Sequence, residues 1–233
     1  RPLAWAGMIR LAILISGRGS NMLCLADAIE KYQINATIAL VISNKDCDGI
    51  ALAAARGLAT KVVKRSDFDN RLAHDAAIAF AIEDCHADYV FLAGYMAILG
   101  SVFVDQFAGK LINIHPSLLP AFKGLDTHQR AIDAGVKTHG VSIHLVNAAL
   151  DDGPLILQAS LAVAETDTAM VLADRVLQLE HQIYPFVLLS LAARNVTLLP
   201  EGVIWHETTL AAAPREMQNI LAPCVIWPEC DLA

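Results

Sequence analysis

No run in this chain approaches the roughly 20 consecutive apolar residues that a membrane-spanning helix needs. The longest candidate, "PFVLLSLAA" from Pro185, reads as the buried end of a helix. The N-terminal "RPLAWAG" lacks the long apolar core of a secretory signal; a natural start at Met8, with residues 1–7 an addition or a mis-set beginning, and native residues 1–7 stand as even alternatives. Basic charge is not in excess either: 17 Lys and Arg face 24 Asp and Glu, a net charge of −7. That balance argues against nucleic acid or an anionic membrane surface as a partner. An anionic substrate must then be held by local donors. The five cysteines, Cys24, Cys47, Cys85, Cys224 and Cys230, form no CxxC pair. Their odd number suits free thiols in a reducing, cytoplasmic setting, and zinc is not expected on this spacing. Internal repeats and low-complexity segments are missing as well.

What is present is apolar sequence in short, regular pieces. With 233 residues, 55% of them hydrophobic, the chain can bury one substantial core. "RLAILIS" (10–16), "TIALVIS" (37–43), "TKVV" (60–63), "YVFLAG" (89–94) and "LINIH" (111–115) read as buried strands. Between them lie helical patterns: "NMLCLADAIEKY", "GIALAAARG" closed by Gly57, residues 67–84 opening on Asp67, and a segment around 101–108. Strands alternating with helices imply an α/β protein with a doubly wound, mostly parallel sheet and helices on both faces. After Pro120 the pattern changes. "THGVSIHLV" (138–146) and "LILQASLAV" (155–163) predict an antiparallel strand pair joined by "NAALDDGP", followed by a helix from about Asp167 to Ala193. Residues 8–195 are expected to form one domain. Residues 196–233, with Pro200, Pro214, Pro223 and Pro228, are expected to form an irregular tail.

Within "LINIHP" an amide and an imidazole interrupt a strand that otherwise belongs in a core. Side chains alternate along a strand, so Asn113 and His115 share one face, opposite Ile112 and Ile114. Pro116 has no N–H for a ladder and ends the strand. Two polar groups are thus presented at a strand's C-terminal end, where open α/β sheets bind their ligands. An asparagine can donate to an oxygen that becomes negative, and a histidine can move a proton near neutral pH.

Two loops add to this. "ISGRGSN" (15–21) is a glycine-containing turn between a strand and a helix start, a setting that binds anions through backbone N–H groups. It is not a dinucleotide fingerprint, because Met22 stands where the third glycine would be, and no Gly-Lys-Ser/Thr makes it a P-loop. A single phosphate is the expected ligand. "LDDGP" (150–154) presents Asp151 and Asp152 in a turn, one of which can orient His115 while the other serves the turn alone. Ser142 and His144 share a face of the preceding strand, and Val141, Ile143 and Leu145 face the core. His115, His144 and Asp151 also compose a two-His, one-carboxylate metal set, but no HxH or HExxH motif accompanies them and metal is not expected.

"SGRGSN", "AGYMAIL", "NIHPSLLP", "HGVSIH", "LDDGPLILQ" and "EHQIYP" occur in this order across about residues 9–195. In order and spacing the chain resembles the phosphoribosylglycinamide formyltransferases, the folate-dependent transformylases of purine synthesis. The wider superfamily, including formyltetrahydrofolate hydrolases, shares the Asn-x-His and Asp pieces.

The resemblance implies a Rossmann-like formyltransferase fold, with 10-formyltetrahydrofolate as co-substrate, a glycinamide amine as acceptor and no metal. It implies Asn113, His115 and Asp151 as the catalytic trio, and Gly19, Ser20 and Asn21 as the substrate phosphate loop. Glu180 would grip the ribose hydroxyls. Leu92, Tyr95, Met96, Ala97, Ile98, Leu99 and Leu111 would line the folate side with Asn113 and Asp151. The chain departs from some relatives at Ala97, where they carry arginine, and at Asp126, where they carry histidine. Small-molecule partners and a monomer or homodimer are implied. A hydrolase or a non-catalytic nucleotide-binding module remains the alternative.

Overall fold

The computed structural model describes residues 7–228. The expectations for the first six residues and for Cys230 lie outside them. The other four cysteines are free thiols.

Five parallel strands form the first half of the sheet: β1 (Ile9–Ile15), β2 (Ala36–Ser43), β3 (Thr60–Val62), β4 (Tyr89–Leu92) and β5 (Leu111–His115). Three antiparallel strands complete it: β6 (Thr138–Leu145), β7 (Leu155–Ala162) and β10 (Val225–Ile226). The spatial order is β10-β7-β6-β5-β4-β1-β2-β3. The chain first winds outward from β1 to β3, then returns to the other side of β1 with β4. That reversal opens a crevice at the C-terminal ends of β1 and β4, the usual ligand position in such sheets.

Helices cover both faces because each parallel crossover must return over the sheet. One face carries α1 (Ser20–Tyr32), α2 (Asp48–Ala55), α5 (Thr127–Asp133) and α6 (Ala169–Ala192) over Ile13, Ile15, Ile112, Ile114, Ile143 and Leu157. The other carries α3 (Arg71–Asp84) and α4 (Ser101–Gln106) over Ala12, Leu14, Val90, Leu92 and Leu111. The alternation expected in "LINIH" is what divides Leu111 from Ile112 and Ile114 between these two cores.

Three boundaries differ from the sequence expectation. A helix opening at Asp67 is replaced by a short 3₁₀ turn at Arg65–Asp67, and α3 begins after Asn70, whose Oδ1 accepts the Ala73 N–H at 2.9 Å. Both residues are good helix caps, and only the second has the helix beyond it. The seven-residue α5 carries too little periodicity to be read locally. The described part of the segment after residue 195, residues 196–228, is not irregular. It forms the hairpin β8 (Val196–Leu199) and β9 (Gly202–Trp205), then α7 (Arg215–Leu221), and returns as β10 to pair with the outer edge of β7. Prolines at turns and at a helix start punctuate short elements as readily as they disrupt long ones. Trp205 is buried, donates Nε1–H to the Ile156 carbonyl at 2.8 Å, stacks against Phe186 and meets Trp227 edge to face.

Pro185 lies inside α6. A proline cannot donate to the carbonyl four residues earlier, which here belongs to His181. The Cys24 thiol of α1 donates to that carbonyl at 3.1 Å. Burial pushes this thiol up to about 11, so it stays a neutral donor. The repaired turn fixes α1 against the middle of α6, beside Glu180.

Candidate active site

The antiparallel pairing of β5 with β6 sets the centre of the site. In this register Asn113 lies opposite His144, and His115 opposite Ser142. His144 is 2% exposed and its Nδ1 lies 2.9 Å from the Leu145 carbonyl, so Nδ1 carries the hydrogen. Burial lowers its pKa, outweighing the opposing pull of the Leu145 carbonyl and of Asp151. A neutral ring protonated at Nδ1 leaves Nε2 as an acceptor. Asn113 donates Nδ2–H to it at 3.2 Å, which fixes the orientation of the Asn113 amide. The second amide hydrogen of Asn113 has no partner among the described residues.

His115 Nε2 lies 2.9 Å from the Phe122 carbonyl, and its Nδ1 lies 3.4 Å from Asp151 Oδ2. Each ring N–H therefore has an oxygen to donate to when the ring carries both protons. Asp151 reaches across from the turn after β6, with its other oxygen 3.7 Å from His144 Nε2 and Oδ2 accepting from Gly124 N at 2.9 Å. Its backbone is left-handed at φ 47°, a conformation that Asp and Asn tolerate better than most residues. Gly153 closes the turn tightly: a Cβ there would sit 1.7 Å from the Leu145 carbonyl oxygen. Asp152 points outward and pairs with Lys123. Of the two turn carboxylates, Asp151 is the one that joins the site.

Among the described residues no group of three His, Cys, Asp or Glu is placed to hold a metal ion.

The glycine loop lies at the end of β1. Gly19 adopts φ 71° and precedes α1, whose first-turn N–H groups have no partner within the helix and no side-chain cap. The loop is held from behind by Gly49 of α2, which donates to the Gly17 carbonyl at 3.0 Å. A Cβ on Gly49 would come within 2.6 Å of that same oxygen, so only glycine allows the approach. Ser16 ties the loop to the β4 side, donating to Asn44 Oδ1 at 2.7 Å and accepting from Met96 N at 2.9 Å. Asn21 is buried, and its side chain donates to Glu180 Oε2 at 2.7 Å. The two expected substrate grips, 159 residues apart in sequence, are therefore in direct contact.

The residues expected to line a folate are placed unevenly. Leu92 and Leu111 are buried in the core beneath the crevice, so they form its floor. Tyr95, Ala97 and Leu99 are partly exposed, while Met96 is 70% and Ile98 is 72% exposed. Two large apolar side chains open to solvent beside a polar cluster suit an aromatic ligand with one polar end.

The Formyl transferase family model matches residues 9–188. The chain belongs to the formyl transferase family. Among formyl transferases, the phosphoribosylglycinamide formyltransferase of Escherichia coli K12 is 43% identical over 198 residues, 84% of this chain and 93% of that protein. The human trifunctional purine biosynthetic protein adenosine-3 is 41% identical over 84% of this chain, which corresponds to 19% of the human protein. The solved phosphoribosylglycinamide formyltransferase of Coxiella burnetii superposes with a TM-score of 0.82 at 39% identity, covering 88% of this chain and 96% of its own. A glycinamide ribonucleotide transformylase from Symbiobacterium toebii gives 0.83 at 37% identity. The formyl transferase fold expected from the sequence is the fold observed. His144, the second histidine of the two-His, one-carboxylate set, is placed behind Asn113.

Proposed function

We propose that the chain transfers a formyl group from 10-formyltetrahydrofolate to the amine of N1-(5-phospho-D-ribosyl)glycinamide, a cytoplasmic step of purine synthesis. The observation that carries this reading is the meeting of Asn113, His115 and Asp151 at the end of β5. A non-catalytic nucleotide-binding module has no use for that trio.

The acceptor amine attacks the formyl carbon, and the carbonyl oxygen becomes an oxyanion. The free amide hydrogen of Asn113 donates to it. His115 joins once its Nε2–H exchanges the Phe122 carbonyl for the substrate oxygen. The new C–N bond leaves a proton on the attacking nitrogen, and the folate nitrogen must gain one to depart. Asp151, beside His115 and at the rim of the turn, moves that proton through water. The phosphate lies on the backbone N–H groups of Gly19, Ser20 and Asn21 at the start of α1. Glu180 accepts from the ribose hydroxyls. No step requires a metal, because the formyl group arrives activated on the folate.

A hydrolase would use the same trio with water as the nucleophile and would need neither the phosphate loop nor Glu180. Formyl release should therefore be slow with 10-formyltetrahydrofolate alone and rise sharply when the acceptor ribonucleotide is added, since orienting the nucleophile lowers a barrier by several kcal/mol. Equal rates with and without acceptor would overturn the transferase reading in favour of the hydrolase. The loop has its own test. Overpacking at Gly49 costs about 1–3 kcal/mol, so Gly49→Ala should raise the acceptor KM roughly tenfold or more with little change in folate KM. An unchanged acceptor KM would remove the loop from the phosphate site.

A further inference from the structure

Glu180 is 9% exposed in the middle of α6, and its contact with a side chain from another element is the Asn21 amide at 2.7 Å. The groups around it are neutral at working pH. On α1, the Cys24 thiol is pushed up by burial and spent on the His181 carbonyl. On α6 itself, burial lowers the His181 ring, and the Tyr184 hydroxyl, pushed far up by burial, donates to the Leu92 and Ile112 carbonyls. Among the described residues no lysine or arginine pairs with Glu180. Asn21 shows the other half of the arrangement. Its Oδ1 is buried and has no hydrogen-bond partner among the described residues, although its Nδ2 donates to Glu180. A buried amide oxygen left without a donor costs free energy, and it marks a place where a donor is to arrive.

We propose that the Asn21 side chain is a positioning residue for Glu180, not a ligand of the phosphate, and that it makes binding of the acceptor ribonucleotide proton-linked. The inference rests on the reading of Glu180 as the ribose grip. By donating to the carboxylate, Asn21 favours its ionised form, which offers the most acceptor sites to two ribose hydroxyls. It also joins the first turn of α1, where the phosphate is held, to the residue that holds the sugar. Phosphate and ribose are thus registered against each other by one hydrogen bond.

The sign of the linkage follows from burial. Desolvation raises the Glu180 pKa to about 7, against the smaller downward pull of Asn21. In the free protein near pH 7 the group is then about half protonated, and a ligand that prefers the carboxylate drives the proton off. Titrating the protein with glycinamide ribonucleotide in buffers of different ionisation enthalpy should show release of roughly half a proton per ligand at pH 7 that Glu180→Gln abolishes. The ligand's own phosphate titration is common to both proteins and cancels in the difference. In Asn21→Ser and Asn21→Leu the release at pH 7 should grow toward one proton. The pH at which affinity levels off should also move alkaline, with a tenfold or greater loss of affinity at pH 7. Two variants guard against a folding failure in one, and the wild-type release stands without either.

If Glu180→Gln binds the ribonucleotide as tightly as wild type across the pH range, the ribose reading itself falls. If Glu180→Gln weakens binding but the Asn21 variants leave proton release and pH midpoint unmoved, only the positioning role falls. A wild-type release no different from that of Glu180→Gln overturns the proton linkage.

Discussion

Replacing Asn113 with Ala is expected to lower kcat by about 10²–10³-fold, the usual cost of removing one oxyanion donor. The KM for the folate should change far less, because in the proposed mechanism the amide meets a full negative charge only in the transition state. The structure adds a second expectation. His144 Nε2 would lose its donor inside a residue only 2% exposed, at a stability cost of about 1–3 kcal/mol. Thermal denaturation should show that loss as a lower Tm, separately from turnover. His144, whose Nε2 lies 3.2 Å from the Asn113 amide, is expected to act through Asn113. His144→Phe keeps the buried volume but frees the amide to rotate, and should lower kcat about tenfold in the wild-type background with little further effect in Asn113→Ala. Full additivity of the two substitutions would mean that His144 works on the substrate by another route. Wild-type kcat in Asn113→Ala would remove the oxyanion role altogether.

The polar face of β5 was legible because its two signals are local. Alternation places Asn113 with His115, and Pro116 ends the strand beside them. The parallel half of the sheet was legible for the same reason, with each apolar run bounded by glycine or a polar turn. What the sequence hid are relations between distant segments. His144 becomes a support for Asn113 only through the β5–β6 register, and no property of "SIHLV" announces it. Asn21 and Glu180 belong to separate motifs, and their bond requires α1 to lie against α6. Gly49 resembles any helix-start glycine until Gly17 is packed against it. The segment after residue 195 failed as a reading for a different reason. Its strands are four, four and two residues long, shorter than the windows in which periodicity can be judged, and what orders them is the burial of Trp205 and Met217 against the main core.

Asp151→Asn isolates a single charge. Asparagine accepts the left-handed backbone at φ 47° as readily as aspartate does, and its Oδ1 can still accept the Gly124 N–H that Asp151 holds at 2.9 Å. The turn and the loop it fastens should therefore survive, and Tm should stay near that of the wild type. What disappears is the negative charge lying 3.4 Å from His115 and 3.7 Å from His144, together with the basic oxygen proposed to take the proton on its way to the folate nitrogen. Losing a positioned acid–base group costs about 10²–10⁴ in rate, so kcat should fall by at least 100-fold while both KM values stay within a few-fold. Between about pH 6 and pH 9, where histidine and the acceptor amine exchange protons, the variant should also lose the wild-type shape of its kcat profile. Asp151→Gly would suit the backbone still better, yet should be as inactive as Asp151→Asn. This separates the carboxylate from the conformation that carries it. Wild-type turnover in Asp151→Asn across that range would show that His115 needs no anion beside it, and that the proton leaves by a path that does not involve this turn.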